Sequence, residues 1–310
     1  MKILIVGYYT EDTVSRIRQV FPEDWEITAV QPGEEGEHVA DADVLIPEHI
    51  QVNEALLEKA SKLKLVQTGA GYDNVDIEAC TRHGVKAANA AGVNADAVAE
   101  HTFAMILGYY KNLPFLDAFM KQGEDEKQLY YNGAELRGKT IGIIGLGAIG
   151  KRVAAYCSAM GIHVLGYDPF VKECAEYVRP VKLEELIRES DIITVHVYLN
   201  DETRHMFRKE SFKKMKDTAL LVNTARGGII CQPDLIEALK TGQIGGACLD
   251  VFEEEPLPLD SELRKLPNVI LTPHTAGMPD GLKFHKTRYE FFRRNIEAVM
   301  AGKEVKSKLN

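Results

Sequence analysis

Short apolar runs alternate along this chain with stretches whose apolar residues return every three to four positions. The runs Lys2–Gly7, Glu26–Val30, Val44–Pro47, Leu63–Thr68 and Val85–Asn89 form a first series. Thr140–Gly145, His163–Asp168, Asp191–Val197, Ala219–Ala225, Gly246–Phe252 and Val269–His274 form a second. Val, Ile and Leu follow one another in these runs with little polar alternation, the pattern of strands buried on both faces. Such strands separated by helical patterns predict parallel βαβ units. The expected fold class is α/β, with two doubly wound parallel-sheet domains. Between the two series, Ala95–Lys121 predicts one long helix carrying Val98, Thr102, Met105 and Leu113 at helical spacing, followed by a polar loop, Gln122–Gly138. A last helical pattern, Asp280–Gly302, comes after the final run and is placed to fold back onto the first domain.

Size and composition narrow the class. A length of 310 residues suffices for two domains, and 45% apolar with 27% charged residues is the balance of a globular protein. A net charge of -9 sets the chain against a nucleic-acid backbone or an anionic membrane as partner. No apolar run approaches the length a bilayer requires. The first ten residues read as a strand, with no signal-peptide cleavage pattern. The cysteines, Cys80, Cys157, Cys174, Cys231 and Cys248, are odd in number, widely spaced and without a C-x-x-C pair. That usage fits a reducing cytoplasm and disfavours a disulfide framework or a structural zinc site. No His/Cys/Asp/Glu cluster has metal-ligand spacing, so no metal is expected.

The second series opens on a glycine fingerprint. Gly145-Leu146-Gly147-Ala148-Ile149-Gly150 reads G-x-G-x-x-G between a strand pattern and a helical one, and the next strand ends in Asp168. That context predicts a dinucleotide site: Gly145 for the tight turn, Gly147 for backbone approach to the pyrophosphate, Gly150 for helix–strand packing. The helix N-terminus, from Ala148 and Ile149 on, offers N–H groups and a positive dipole end to phosphates. Asp168 suits a ribose 2′-OH and would repel a 2′-phosphate, so NAD is expected rather than NADP. The first strand ends in Gly7-Tyr8-Tyr9, which is no phosphate cradle.

Ligands of open α/β sheets bind beyond the carboxyl ends of the strands. There the second series carries Arg226 after its fourth strand, Glu255 after its fifth and His274 after its sixth. The set suits hydride chemistry on a keto acid. Histidine titrates near neutrality and can act as acid or base. A carboxylate fixes the ring and favours imidazolium, and an arginine holds a carboxylate through two donors. Two other histidines compete less well. His196 also follows a strand but has no evident carboxylate partner, and His101 reads as a surface or packing residue beside Glu100.

At these residues the chain resembles the D-isomer-specific 2-hydroxyacid dehydrogenase family. The matching stretches are Leu136–Gly147, Val222–Gly228, Asp250–Pro256, Thr272–Gly277 and, in the first domain, Gly69–Asp76. The resemblance implies an NAD-dependent enzyme acting on a small 2-hydroxy or 2-keto acid, with His274 as acid/base, Glu255 as its partner and Arg226 as substrate clamp. It implies that Asp250 holds the nicotinamide carboxamide. It places Thr224, Ala225, Arg226, His274, Ala276 and Gly277 at the nicotinamide end and Thr102 near the phosphates. It gives the Gly69-Ala70-Gly71 turn, with Arg226 and His274, to the substrate. A flavodoxin-like substrate domain, residues 1–98 with 282–310, would be interrupted by a Rossmann NAD-binding domain, residues 99–281, with a cleft that closes on substrate. Members are usually dimeric through the cofactor domain, and the contact is expected around Tyr130 and Tyr131.

Departures from the pattern qualify this. Ala148 stands where many members carry a polar residue, and Cys231 where an acid often caps the next helix. Pro47 and Glu48 stand where phosphoglycerate dehydrogenases usually carry Arg-Ser, and Glu48 would repel a phosphate. With the sequence ending at Asn310 without an appended regulatory domain, the expectation is an unphosphorylated acid such as glyoxylate or hydroxypyruvate. Formate dehydrogenase is set aside because it carries Gln at the Glu255 position. A phosphoglycerate dehydrogenase-like enzyme and an NAD-sensing corepressor-like binding protein are the alternatives.

Overall fold

The computed structural model describes residues 1–123, 133–278 and 286–310. Tyr130 and Tyr131, and the predicted second domain boundary at 281/282, lie outside the described residues. The chain forms two compact units, Met1–Asn94 with Met278–Asn310, and Ala95–Gly277.

In the first unit, β1 (Lys2–Val6), β2 (Glu26–Val30), β3 (Val44–Pro47), β4 (Leu65–Gln67) and β5 (Lys86–Ala88) make a sheet of order β2-β1-β3-β4-β5. Every neighbouring pair is parallel. This is the flavodoxin-like order. Alternate residues of β1 serve different cores: Leu4 and Val6 enter one cluster with Leu45 and Val66, Ile3 and Ile5 another. A strand that feeds a core on each face has no polar side, which is why its sequence lacks alternation. The second cluster is completed from the far end of the chain. Helix Lys286–Met300 buries Tyr289, Phe292 and Ile296 against Ile3 and Ile5. Each large apolar side chain sealed in this way contributes about 1.5–3 kcal/mol.

The second unit contains β6 (Thr140–Ile144), β7 (His163–Tyr167), β8 (Val178–Pro180), β9 (Ile192–Val195), β10 (Leu220–Asn223), β11 (Gly246–Leu249) and β12 (Val269–Leu271). Their order is β12-β11-β10-β9-β6-β7-β8, again all parallel, as in a Rossmann sheet. Ile141 and Ile143 of β6 pack on one face and Ile144 on the other. β8 adds a strand that the apolar pattern does not predict. It is three residues long, with only Val178 buried and Pro180 at its end, as an edge strand tolerates.

The single helix expected over Ala95–Lys121 is two, Ala95–Tyr110 and Leu113–Lys121. The break falls at Asn112, which is left-handed with φ 53°, and Pro114 opens the second helix. Proline fits a first helical turn because the N–H it lacks has no intrahelical partner there. Among the described residues no helix is long and apolar enough to cross a membrane.

Candidate active site

The dinucleotide turn lies where the second sheet reverses its order, since β6 is flanked by β7 and β9. Gly145 has φ +92°, and a Cβ on it would stand 2.4 Å from the His196 carbonyl oxygen at the end of β9. Only glycine fits there. At Gly147 an added Cβ would meet nothing within 4 Å. This is the cradle a pyrophosphate needs. Helix Ala148–Ala159 begins at once, and no side chain caps it. Its first intrahelical bond is Lys151 N–H to the Gly147 carbonyl, so the N–H groups of Ala148, Ile149 and Gly150 precede the ladder, where an anion can accept from them. Asp168, at the end of β7, accepts from Leu146 N–H at 2.8 Å and from Phe170 N–H at 2.9 Å. Its carboxylate thus braces the turn and carries one negative charge beside it. The residues present fit a dinucleotide.

Arg226, Glu255 and His274 follow β10, β11 and β12, three neighbours in the sheet. The structure brings Glu255 and His274 into direct contact, with His274 Nδ1 2.6 Å from Glu255 Oε2. Glu255 Oε1 accepts from Phe252 N–H at 3.0 Å. Burial pushes this carboxyl up, but the hydrogen bond and charge of His274, the Phe252 N–H and the Arg226 charge outweigh it and hold its pKa below the ordinary value. Arg226 is half-buried, and its Nη1 donates to the Ala225 carbonyl at 2.8 Å. Its turn is tied by fully buried Asn223, which donates to the Arg226 carbonyl and accepts from Ala225 N–H. Gly227 lets this turn lie on the loop leading to Glu255, because a Cβ there would fall 1.9 Å from the Phe252 carbonyl.

His274 has φ +53°, a conformation a non-glycine residue adopts at a cost. Asp250 holds it there. The Asp250 carbonyl accepts from His274 N–H at 2.7 Å. The Asp250 carboxylate, 1% exposed, accepts from the Thr272 hydroxyl at 2.6 Å and from the N–H groups of Thr275 and Ala276 at 2.9 Å each.

The Thr272 proton goes to Asp250, so at 3.1 Å His101 Nε2–H is the donor to Thr272 Oγ1. His101 Nε2 also lies 3.7 Å from the Asp250 carboxylate. His101, expected at the surface or in packing, is part of the support under His274. Thr102 is fully buried, donates to the Val98 carbonyl at 2.7 Å and accepts from Thr224 at 2.9 Å. It thereby braces Thr224. Gly277 ends the loop that begins at His274.

His196 Nε2 lies 3.0 Å from Thr194 Oγ1. The residue keeps some surface, yet its Nδ1 is sealed from solvent without a hydrogen-bond partner among the described residues. Burial drives its pKa down to about 3. It is neutral at physiological pH. Among the described residues no group of three His, Cys, Asp or Glu could hold a metal.

A family profile described as "D-isomer specific 2-hydroxyacid dehydrogenase, NAD binding domain" matches residues 103–276. A glyoxylate reductase of Thermococcus litoralis is 39% identical over 317 residues, covering 97% of this chain and 94% of the relative. The chain belongs to the D-isomer-specific 2-hydroxyacid dehydrogenase family. A D-3-phosphoglycerate dehydrogenase of Methanocaldococcus jannaschii is 38% identical over all of the chain, which spans 59% of that relative's length. The solved D-lactate dehydrogenase of Aquifex aeolicus, complexed with NAD and lactic acid, superposes with a TM-score of 0.84 at 30% identity and covers 97% of this chain and 96% of its own. The fingerprint turn and the Arg226–Glu255–His274 set both lie in the family's NAD-binding domain.

In the first unit, the Gly69-Ala70-Gly71 turn follows β4. Its Gly69 carbonyl accepts from Ala90 N–H and its Ala70 carbonyl from the Asn89 side chain, each at 2.8 Å. Among the described residues none of the three turn N–H groups has an acceptor. Two carbonyls tied back and three amides without an acceptor suit an anion.

Proposed function

We propose that this protein reduces a small, unphosphorylated 2-keto acid such as glyoxylate or hydroxypyruvate with NADH, and catalyses the reverse oxidation of the D-2-hydroxy acid. The observation that carries the reading is the 2.6 Å contact between His274 and Glu255 in the domain that bears the dinucleotide turn. With Nδ1 committed to Glu255, Nε2 is the nitrogen that exchanges a proton with the substrate oxygen. The carboxylate keeps the ring in that tautomer and offsets the charge that the imidazolium carries before it donates. Arg226 holds the substrate carboxylate and polarises the carbonyl. Asp250 and His101 fix the backbone that aims His274, while Asp168 and the amides after Gly147 bind the ribose and pyrophosphate. The Gly69–Gly71 amides offer a carboxylate a seat within the first unit. Bound NADH supplies the hydride.

Five unpaired cysteines support a cytoplasmic setting. A homodimer is supported by helix Leu113–Lys121, which buries no residue and leaves Leu113, Phe115 and Met120 each more than half exposed, at 55%, 52% and 58%.

The test is NADH oxidation with a panel of glyoxylate, hydroxypyruvate, pyruvate and 3-phosphohydroxypyruvate. The last is included because of the likeness to phosphoglycerate dehydrogenase. His274→Ala should lower kcat on the order of 10²–10⁴-fold with NADH still bound, and Glu255→Gln should lower it less. Full turnover by His274→Ala would refute the assignment.

A further inference from the structure

The first unit has its own switch point. Its sheet order reverses between β1 and β3, and ligands of such sheets bind beyond the carboxyl ends at the reversal. Tyr8 follows β1 and is 55% exposed, with its ring 5.5 Å from that of His49. Glu48 follows β3 and pairs with Arg288 of the last helix, Oε1 to Nη2 at 2.8 Å. Both side chains keep about a fifth of their surface, 22% and 20%. The guanidinium lies over the rings of Tyr289 and Phe292, 5.1 and 5.8 Å from their centroids. The Tyr9 hydroxyl is 3.3 Å from that of Tyr289, and burial, then the Glu48 charge, pushes the Tyr9 phenol well above its ordinary pKa. Arg288 also lies beside the Gly69 turn, with Nη1 3.7 Å from where a Cβ on Gly69 would stand. A carboxylate seated on the turn amides has this ion pair as its neighbour.

We propose that the Glu48–Arg288 pair determines substrate specificity, reading the far end of the acid and selecting an uncharged, hydroxyl-bearing tail over an anionic one. This rests on the reading of the chain as a 2-keto acid reductase with its carboxylate seat at Gly69–Gly71. The pair is electrically neutral. A second carboxylate or a phosphate brought against it meets the Glu48 charge together with the Arg288 charge, and gains Arg288 only by displacing Glu48. That displacement leaves a largely buried carboxylate uncompensated. A hydroxyl donates to Glu48 and accepts from Arg288 without breaking the pair.

The experiment measures kcat/KM of the full chain with NADH and three acids: glyoxylate, hydroxypyruvate and oxaloacetate, whose tail is a carboxylate. Glu48→Gln leaves the cation uncompensated. The oxaloacetate-to-hydroxypyruvate ratio should then rise on the order of tenfold. Arg288→Gln leaves the anion, and the same ratio should fall by a similar factor. Impaired folding lowers all three acids together and cannot move the ratio in opposite directions. Ratios that stay put, or move the same way in both variants, overturn this inference alone. If the wild type oxidises NADH with none of the acids, the reductase reading fails and this inference with it.

Discussion

His196 gives a prediction whose size follows from its environment. In the folded protein its pKa is lowered from 6.5 to about 3 by burial, while in the unfolded chain it keeps the ordinary value near 6.5. Between those values the unfolded state binds a proton that the native state does not. The stability tied to this residue is therefore fully present above pH 6.5 and is lost as pH falls. At pH 5 the loss works out as RT ln(1 + 10^1.5), about 2 kcal/mol. Because His196 keeps some surface, this is a ceiling. His196→Gln removes the titration and retains an amide that can face Thr194. Urea unfolding of both proteins at pH 8 and pH 5 isolates the difference, since every other group titrates alike in the two. Wild type should lose up to about 2 kcal/mol more than the variant between those pH values. Equal losses would refute the claim that the ring is held neutral, and would return His196 to contention as the proton donor.

Asp168→Ala removes the charge beside the fingerprint turn, so the NADPH-to-NADH ratio of kcat/KM should rise by about tenfold or more; an unchanged ratio sinks the role given to this acid. The exposed apolar face of helix Leu113–Lys121 predicts that the protein sediments as a dimer and that Phe115→Asp shifts it toward monomer. A monomeric wild type at micromolar concentration excludes the pairing.

The parts of the fold and site legible in the sequence are those whose physics is local. The turn at Gly145–Gly150 announces itself because strand, glycines and helix N-terminus are consecutive and Asp168 closes the next strand. Arg226, Glu255 and His274 stand out because parallel topology sends every strand end to one edge, so three chemistry-bearing residues after three strands share it. The break at Asn112 was signalled by Pro114 and overridden by a long apolar period. β8 gave little signal, as three residues with one buried side chain set up no pattern. His101 gave none. Its partner Thr272 is 171 positions away, and nothing in a helical histidine discloses a threonine hydroxyl on another element.

Glu48 shows most clearly what such a reading cannot contain. Taken as a lone acid at the end of β3 it predicts repulsion of any anionic tail. Arg288, from the opposite end of the chain, removes that net charge, and the prediction built on charge alone loses its ground. The proposed preference for an unphosphorylated acid then has to come from somewhere else. A neutral pair held at one geometry discriminates by which groups it can bond without coming apart, and an arginine and a glutamate already joined accept a hydroxyl more readily than a second anion. Glu48 read alone and Glu48 read with Arg288 thus favour the same substrate class for different reasons. Only the second reason predicts that removing either charge moves selectivity in opposite directions.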